Sequence, residues 1–506
     1  GYGSEYRYVT NAQSSGNLRV YRFSQKAAEF TDGDVTTTLP ESQSFEVRAT
    51  ATQTITRGLR ARARVDYFSD VVTQQLYHQN LHDASRRSRI IQGALTGAWG
   101  KYNAGVAYDQ SEIFNDEHSS FVYGNTPRVN AGVAPTALFG SPVYGSATAE
   151  FANLPYRSEL DGETIALSDR GLTRMDVAPL VRMPFSRWTF LTLNTSAAYR
   201  LTRYSESLND QGIQVPEPFN RSYFDIRADA VGPVFTKIWD AASDSRAERF
   251  KHVIEPTFGY QQTTPIDDFR RTPLLTNNAD FVIGGVGRLT YGLTNRLLRR
   301  DRPRDGLPGA AREFLSVSVQ QTYYSDSEAS RYDPTYASSL TTRSAVDLSP
   351  VALTVRYSPT LATTASMRVE QDVSGDGLQS LSATGNVYFG MHSANASLSR
   401  RRLDDSATPE TFLNAGGVTS FAGGRIRATY NLSWDIERRY IMSQAMSATY
   451  FAQCCGFGVE FQNYNYSQVS SSIPIPSDRR INFSFTLAGL GTFSNFFGAF
   501  GGNTAR

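Results

Sequence analysis

From end to end this sequence alternates apolar and polar residues with a period of two, and helical periods are scarce. Phe45, Val47, Ala49 and Ala51 interleave with Glu46, Arg48, Thr50 and Thr52. Leu59, Ala61, Ala63, Val65 and Tyr67 then take one side of a segment, while Arg60, Arg62, Arg64 and Asp66 take the other. The pattern returns over Thr189 to Leu201, over Phe314 to Gln321 and over Ile481 to Leu487, where Phe483 and Phe485 stand between Asn482, Ser484 and Thr486. Such alternation puts apolar side chains on one face of a sheet and polar ones on the other. A large soluble all-β protein needs some strands buried on both sides, and nearly every segment here is two-faced. A propeller would show a blade repeat of about 40 residues, and none is visible. A closed barrel in lipid requires the two-faced pattern: apolar side chains outward, polar side chains toward an aqueous lumen, and no open edge.

The fold class expected is therefore all-β, a large antiparallel transmembrane β-barrel. About 24 segments can be counted, close to the roughly 10-residue strands and turns of a membrane barrel. Gly58 and Gly377 mark hairpin turns, and the polar stretches Asn115 to Asn130, Arg299 to Gly306 and Ser325 to Ser339 are expected as outward-facing loops. Tyr67 and Phe68, Tyr108, Tyr323 and Tyr324, and Tyr464 and Tyr466 are expected in interfacial girdles. Composition closes off other classes. Lys+Arg 50 against Asp+Glu 48 leaves a net charge of +2, with no excess to attract nucleic acid. Mean hydropathy is −0.37, and no apolar run approaches the roughly 20 residues of a membrane helix. Two cysteines exclude a disulfide scaffold and a Cys₄ zinc site. The chain opens inside a strand-like stretch, Gly1 to Thr10, as expected of a processed or shortened chain.

Catalytic signals are poor. Of the five histidines only His78 and His82 lie close together, in a segment that reads as a solvated loop. No nucleophile elbow, zinc-protease helix or phosphate-binding loop is present. The stretch Asp372 to Gly377 imitates the start of a calcium loop, but the twelfth position is Ala383 rather than Glu, so a hairpin turn is expected there. No metal, no cofactor and no enzyme activity are expected. The cations are more informative: only Lys26, Lys101, Lys237 and Lys251 are lysines, and the remaining 46 are arginines. Arginine grips phosphate or carboxylate through two parallel hydrogen bonds. Arg60, Arg62 and Arg64 are thus candidates for a basic lumen wall that handles phosphorylated sugar, or for pairing with lumenal carboxylates.

Three local features stand apart from the pattern. Cys454 and Cys455 are adjacent, in YFAQCCGFGVEFQNY. Neighbouring strand residues point to opposite faces and a bridge between them closes a strained ring, which leaves two readings: partners on other polypeptide, or two free thiols. Pro256 interrupts the strand KHVIEP, and Pro179 and Pro184 interrupt TRMDVAPLVRMPF. Proline lacks the ladder donor, so each is expected to break or bulge the pairing.

Together these segments resemble the barrel of the outer-membrane lipopolysaccharide-assembly family LptD, from about Tyr2 to Thr492. The cysteine pair, KHVIEPTFGY, TRMDVAPLVRMPF and the final RRINFSFTLAGLGT carry the resemblance. It implies a translocon of the cell outer membrane, with a barrel of about 26 strands, that receives lipopolysaccharide from a periplasmic bridge and inserts it into the outer leaflet through a lateral gate. It implies a barrel over residues 1–490, a C-terminal tail over 491–506, and a closing gate strand formed by Ile481, Asn482, Phe483, Ser484, Phe485, Thr486 and Leu487. A periplasmic jellyroll and the first barrel strands would precede Gly1, and Cys454 and Cys455 would each bridge to a cysteine of that jellyroll. The implied partners are lipopolysaccharide, outer-membrane lipids, the lipoprotein plug LptE and, through the jellyroll, the bridge protein LptA. The competing class is a porin or plugged substrate transporter. Those barrels commonly end in an aromatic residue, whereas this chain runs on to Gly-Gly-Asn-Thr-Ala-Arg.

Overall fold

The structure, a computed structural model, describes residues 1–32, 35–39, 41–71, 86–116, 118–165, 169–242, 247–273, 282–302, 309–337, 344–373, 375, 377–402, 408–465, 478–487 and 491–494. The alternating segments form strands, as β-branched and aromatic residues favour, and 27 of the strands belong to one sheet. In chain order they begin with β1 (Tyr2–Asn11), β2 (Ser14–Gln25), β3 (Ala28–Asp32), β4 (Val35–Leu39), β5 (Ser42–Thr56), β6 (Leu59–Phe68), β7 (Ser88–Trp99), β8 (Tyr102–Phe114) and β9 (Ser119–Ala137). There follow β10 (Tyr144–Leu154), β11 (Tyr156–Leu160), β12 (Glu163–Thr164), β13 (Leu172–Trp188), β14 (Leu191–Tyr204), β15 (Ser207–Leu208), β16 (Gln214–Val215), β17 (Phe219–Val231), β18 (Phe235–Asp240) and β19 (Ala247–Thr263).

The chain completes itself with β20 (Val286–Asp301), β21 (Ala311–Tyr324), β22 (Val351–Thr360), β23 (Thr363–Gln371), β24 (Leu378–Phe389), β25 (His392–Arg401), β26 (Glu410–Phe421), β27 (Ile426–Asp435), β28 (Tyr440–Phe451), β29 (Cys455–Tyr464), β30 (Asp478–Leu487) and β31 (Gly491–Ser494). Two compact units are formed. One comprises Gly1–Pro184, Ser196–Ile226 and Thr263–Gly285; the other comprises Phe185–Thr195, Arg227–Gln262 and Val286–Arg506. In the second unit, strands from β20 onward pair antiparallel with their sequence neighbours. From β22 onward the connections at one end are short: 361–362, 390–391, 422–425 and 452–454. The opposite end carries the longer 325–350, 402–409 and 465–477. In outer-membrane barrels the short turns are periplasmic and the long loops extracellular, which orients the strands.

Several expected loops and girdle residues lie elsewhere. Asn115 to Asn130 is mostly strand, because β9 already begins at Ser119. Its polar residues sit in ladder positions against β8, and at Gly124 a Cβ would come within 2.0 Å of the Asp109 carbonyl oxygen, so only glycine fits. Arg299 to Asp301 belong to β20, and 303–308 lie outside the described residues. Over 325–337 the chain does not project: a 3-10 turn over Ser327–Tyr332 returns it onto the sheet, and 338–339 lie outside the described residues. There the Tyr324 hydroxyl donates to Asp333 at 2.7 Å, and the Ala337 amide donates to Glu370 at 3.0 Å. Tyr324, Tyr336 and Glu370 are fully buried beneath that segment. Phe68 and Tyr324 are therefore not girdle residues, since each points opposite to its neighbour, Tyr67 or Tyr323. Tyr108 and Tyr323 are exposed on the apolar side, and Tyr466 lies outside the described residues.

Candidate functional site

Register decides which side chains share a face. Thr50, Thr52 and Thr54 of β5 stand opposite Arg64, Arg62 and Arg60 of β6, and the same arginines stand opposite Gln92, Ala94 and Thr96 of β7. Period two then puts Arg60, Arg62, Arg64 and Asp66 on one face. The other face of β5, β7 and the next strand, β8, carries Phe45, Ile55, Ile91, Leu95, Val106 and Tyr108, all exposed. A continuous face of exposed large apolar side chains suits hydrocarbon and not water.

Along the polar face, charge is handled in two ways. Arg62 and Arg64 are exposed and Arg60 is half-buried. Among the described residues no ion pair involves Arg60 or Arg62, and Arg64 comes only within 3.9 Å of Asp66. At the loop end the charges are packed instead. Glu46 receives Arg48 and, at 3.2 Å, Arg86, while Asp66 also receives Arg86. Arg89 donates to Glu112 at 3.0 Å and lies over the Phe114 and Tyr67 rings at 4.5 and 4.8 Å. A second cluster links β10, β13 and β14. Arg174 reaches Glu150 at 2.7 Å and Asp176 at 3.3 Å, and Asp176 also accepts from Arg200 at 2.8 Å and from the Thr202 hydroxyl at 2.6 Å. Sequence reading missed these networks, because alternation marks the polar face without showing where along it the arginines are enclosed. Arg86 lies outside any alternating segment and carried no signal at all.

In the second unit, β30 continues the apolar side of its own neighbour β29. Ile481, Phe483 and Phe485 stand opposite Phe461, Val459 and Phe457 of β29, whereas Asn482 and Ser484 stand opposite Glu460 and Gly458. The sheet also extends into the segment expected as a tail. β31 returns antiparallel and pairs its four residues with Ser484, Phe485, Thr486 and Leu487. At the start of β29, Cys454 belongs to the preceding turn and Cys455 to the strand, so the expectation that they diverge as strand neighbours does not apply. Their sulfurs lie 3.4 Å apart, too far for a bond near 2.05 Å. The turn is one of the short ones, so both cysteines sit at the periplasmic end of the strands.

The prolines distort less than expected. β13 runs unbroken through Pro179 and Pro184, and the register with β10 continues through the Ala147–Pro179 pair. Proline there forfeits one ladder donor without shifting its neighbours. At Pro256 the break falls in the partner: β17 and β18 are separated at 232–234, with the Gly232 amide donating to the Pro256 carbonyl at 2.8 Å. Gly232 is required, since a Cβ would come within 2.2 Å of the Phe190 carbonyl oxygen. As for metals, no group of three or more His, Cys, Asp or Glu side chains assembles among the described residues. His78 and His82 fall outside them.

A family model for LPS transport system D, LptD, matches residues 41–436. The chain belongs to the LptD family. It is an outer-membrane β-barrel protein of lipopolysaccharide transport, and LptD membership makes lipopolysaccharide its cargo and the Lpt system its setting. No curated protein matches the chain. Among solved structures, the ferric enterobactin receptor PfeA of Pseudomonas aeruginosa is 10% identical over 96% of this chain and 82% of its own, at a TM-score of 0.38. The FrpB iron transporter from Neisseria meningitidis is 9% identical over 81% and 73%, at 0.31. The siderophore receptor PiuA from Acinetobacter baumannii is 7% identical over 85% and 80%, at 0.29. Nothing about cargo follows from likenesses this faint; the LptD match is what speaks for lipopolysaccharide over a porin or plugged transporter.

Proposed function

We propose that the chain receives lipopolysaccharide at its short-turn end, passes the phosphorylated saccharide along the polar face past Arg60, Arg62 and Arg64, and releases the lipid sideways at a seam bounded by Ile481 to Leu487. The single observation that carries this reading is the two-faced sheet itself. In the first unit arginines line the face opposite the apolar side chains, and in the second Phe483 and Phe485 of the last long strand stand against the apolar residues of β29. An amphipathic cargo meets that arrangement on both sides, because its sugars avoid hydrocarbon and its acyl chains avoid water. Residues 1–494 act as the barrel domain, with LptE filling the lumen. LptA docks through a periplasmic domain ahead of Gly1. Cys454 and Cys455 each bridge to that domain; their periplasmic position and the oxidising compartment support this pairing. The work is transport, with no covalent chemistry on the cargo.

A photo-crosslinking side chain placed at Arg62 and, separately, at Phe483 of the full-length protein in cells tests the route. Lipopolysaccharide adducts are expected at both positions; none at either overturns the reading. For the bridges, non-reducing electrophoresis of the full-length protein should show a mobility shift on reduction that Cys454→Ser with Cys455→Ser abolishes. A wild type that does not shift removes the interdomain bridges.

A further inference from the structure

On the outer, apolar face of the second unit the surface is not a flat wall. Ala394, Ala415, Gly417, Ala428 and Ala448, on β25 to β28, share that face and form the floor of a trough of about 730 Å³. Tyr430, Met446 and Phe461 rise beside the floor as walls. The volume falls within the roughly 300–1,000 Å³ range of sites that hold a defined small ligand. Small side chains alone would make only a dimple; here they coincide with tall neighbours and with two further observations. First, the trough adjoins β30: its lining residues Val459 and Phe461 stand directly opposite Phe483 and Ile481. Second, Arg479 lies one side-chain step above Ile481 on the same face, exposed, and donates to Asn463 at 3.3 Å. Arg479 is not part of the trough lining but stands on the adjoining strand toward the loop end; an apolar channel with a held guanidinium nearby complements an anionic headgroup carrying an acyl chain.

We propose that this trough holds an acyl chain of lipopolysaccharide as it leaves the seam, with Arg479 meeting a headgroup phosphate. The proposal rests on the transport reading and adds an exit site on the outside of the sheet. It gives the departing lipid an interim position on β25 to β30 before it joins the leaflet.

Tyr430 allows a clean test. It lines the trough four residues from the short-turn end of β27, as Leu95 lies four residues from the short-turn end of β7. At about 3.3 Å per residue both sit about 13 Å along their strands from that end, so Leu95 is a control at matched distance from the short-turn end. A photo-crosslinking phenylalanine analogue at Tyr430 of the full-length protein in cells should capture lipopolysaccharide several-fold above the same probe at Leu95, and Arg479→Gln should lower that excess. Phospholipid adducts alone at Tyr430, or lipopolysaccharide no more abundant than at Leu95, would overturn the proposal. If Phe483 still captures lipopolysaccharide in that case, the transport reading stands without the trough; if Phe483 captures none, both fall. As a second readout, Ala428→Phe fills the floor from the lipid side. Surface lipopolysaccharide should then appear several-fold more slowly with barrel heat-modifiability unchanged, and an unaltered rate counts against the site.

Discussion

The two ends of the polar face of β6 are built from the same residue types and do opposite things. At the loop end Asp66 and Glu46 are enclosed with Arg86 and Arg48, and every charge has a fixed counter-charge. Toward the turn end Arg62 is exposed and Arg60 half-buried, and neither makes an ion pair among the described residues. A buried pair contributes little net stability but becomes very costly when one partner is lost, whereas an exposed cation can be removed almost freely. The loop end is therefore structural closure. On the proposed transport reading, the turn end is capacity left open for the cargo.

The largest expected effect comes from breaking the closed end. Glu46→Ala leaves Arg86 and Arg48 enclosed with half their counter-charge, and should lower unfolding free energy in urea by about 3 kcal/mol. A loss below about 1 kcal/mol would show that the cluster is wetter than its geometry implies. At the open end, replacing Arg60, Arg62 and Arg64 together by Gln should change stability by less than about 1 kcal/mol. Transfer of phosphorylated lipopolysaccharide should nonetheless slow roughly ten-fold, the equivalent of about 1.4 kcal/mol. An unchanged rate in reconstituted vesicles would remove these arginines from the route.

Salt sharpens the contrast further. Screening over about 8 Å at physiological ionic strength weakens exposed charges far more than enclosed ones. Raising salt should slow the wild type toward the triple variant while leaving its urea midpoint nearly unchanged. A midpoint that falls in step with the rate would erase the distinction between the two ends.

The strands, their two faces and the order of the chain were legible from alternation, because burial in lipid on one side and water on the other imposes that period directly. Arg60, Arg62 and Arg64 could be placed on the polar face for the same reason. Enclosure along that face could not be read: Arg174, fully part of a network with Glu150 and Asp176, looks in the sequence like Arg62. Polarity also misled at Ser119 to Asn130, where a strand with polar residues passes for a loop. It misled again at Ser325 to Tyr336, where tyrosines and carboxylates satisfy one another under the returning chain. The trough is a pattern of small residues in register across four strands, invisible along any one of them.

The smallest expected effect lies just beyond the closed end, at the turn between β8 and β9. Asp116 accepts from the Ser119 hydroxyl at 2.7 Å and from the His118 and Ser119 amides at 2.8 and 2.7 Å. These bonds, the hydroxyl's first, hold its carboxyl below the usual carboxylate range. A depressed folded value means that the contribution is fully present above the unfolded value of about 3.9 and is lost as pH falls through the folded one. Amide exchange at Ser119 should stay slow from neutral pH down to that region and quicken only below it. Quickening already near pH 5 would show that the carboxylate is not what orders the turn.

The return strand β31 gives the edge of β30 a direction. Ser484, Phe485, Thr486 and Leu487 must surrender their pairing with Ser494, Phe493, Thr492 and Gly491 before they can accept another partner. The ladder with β31 reaches no further along β30 than Ser484. On the proposed reading of this edge as the seam, parting starts toward the loop end of β30 and is held at the β31 end, as a zip fastener is against its stitched end. Under that proposal the passage would admit cargo to the outer leaflet first and keep its foot shut against inner-leaflet lipid while the mouth is open.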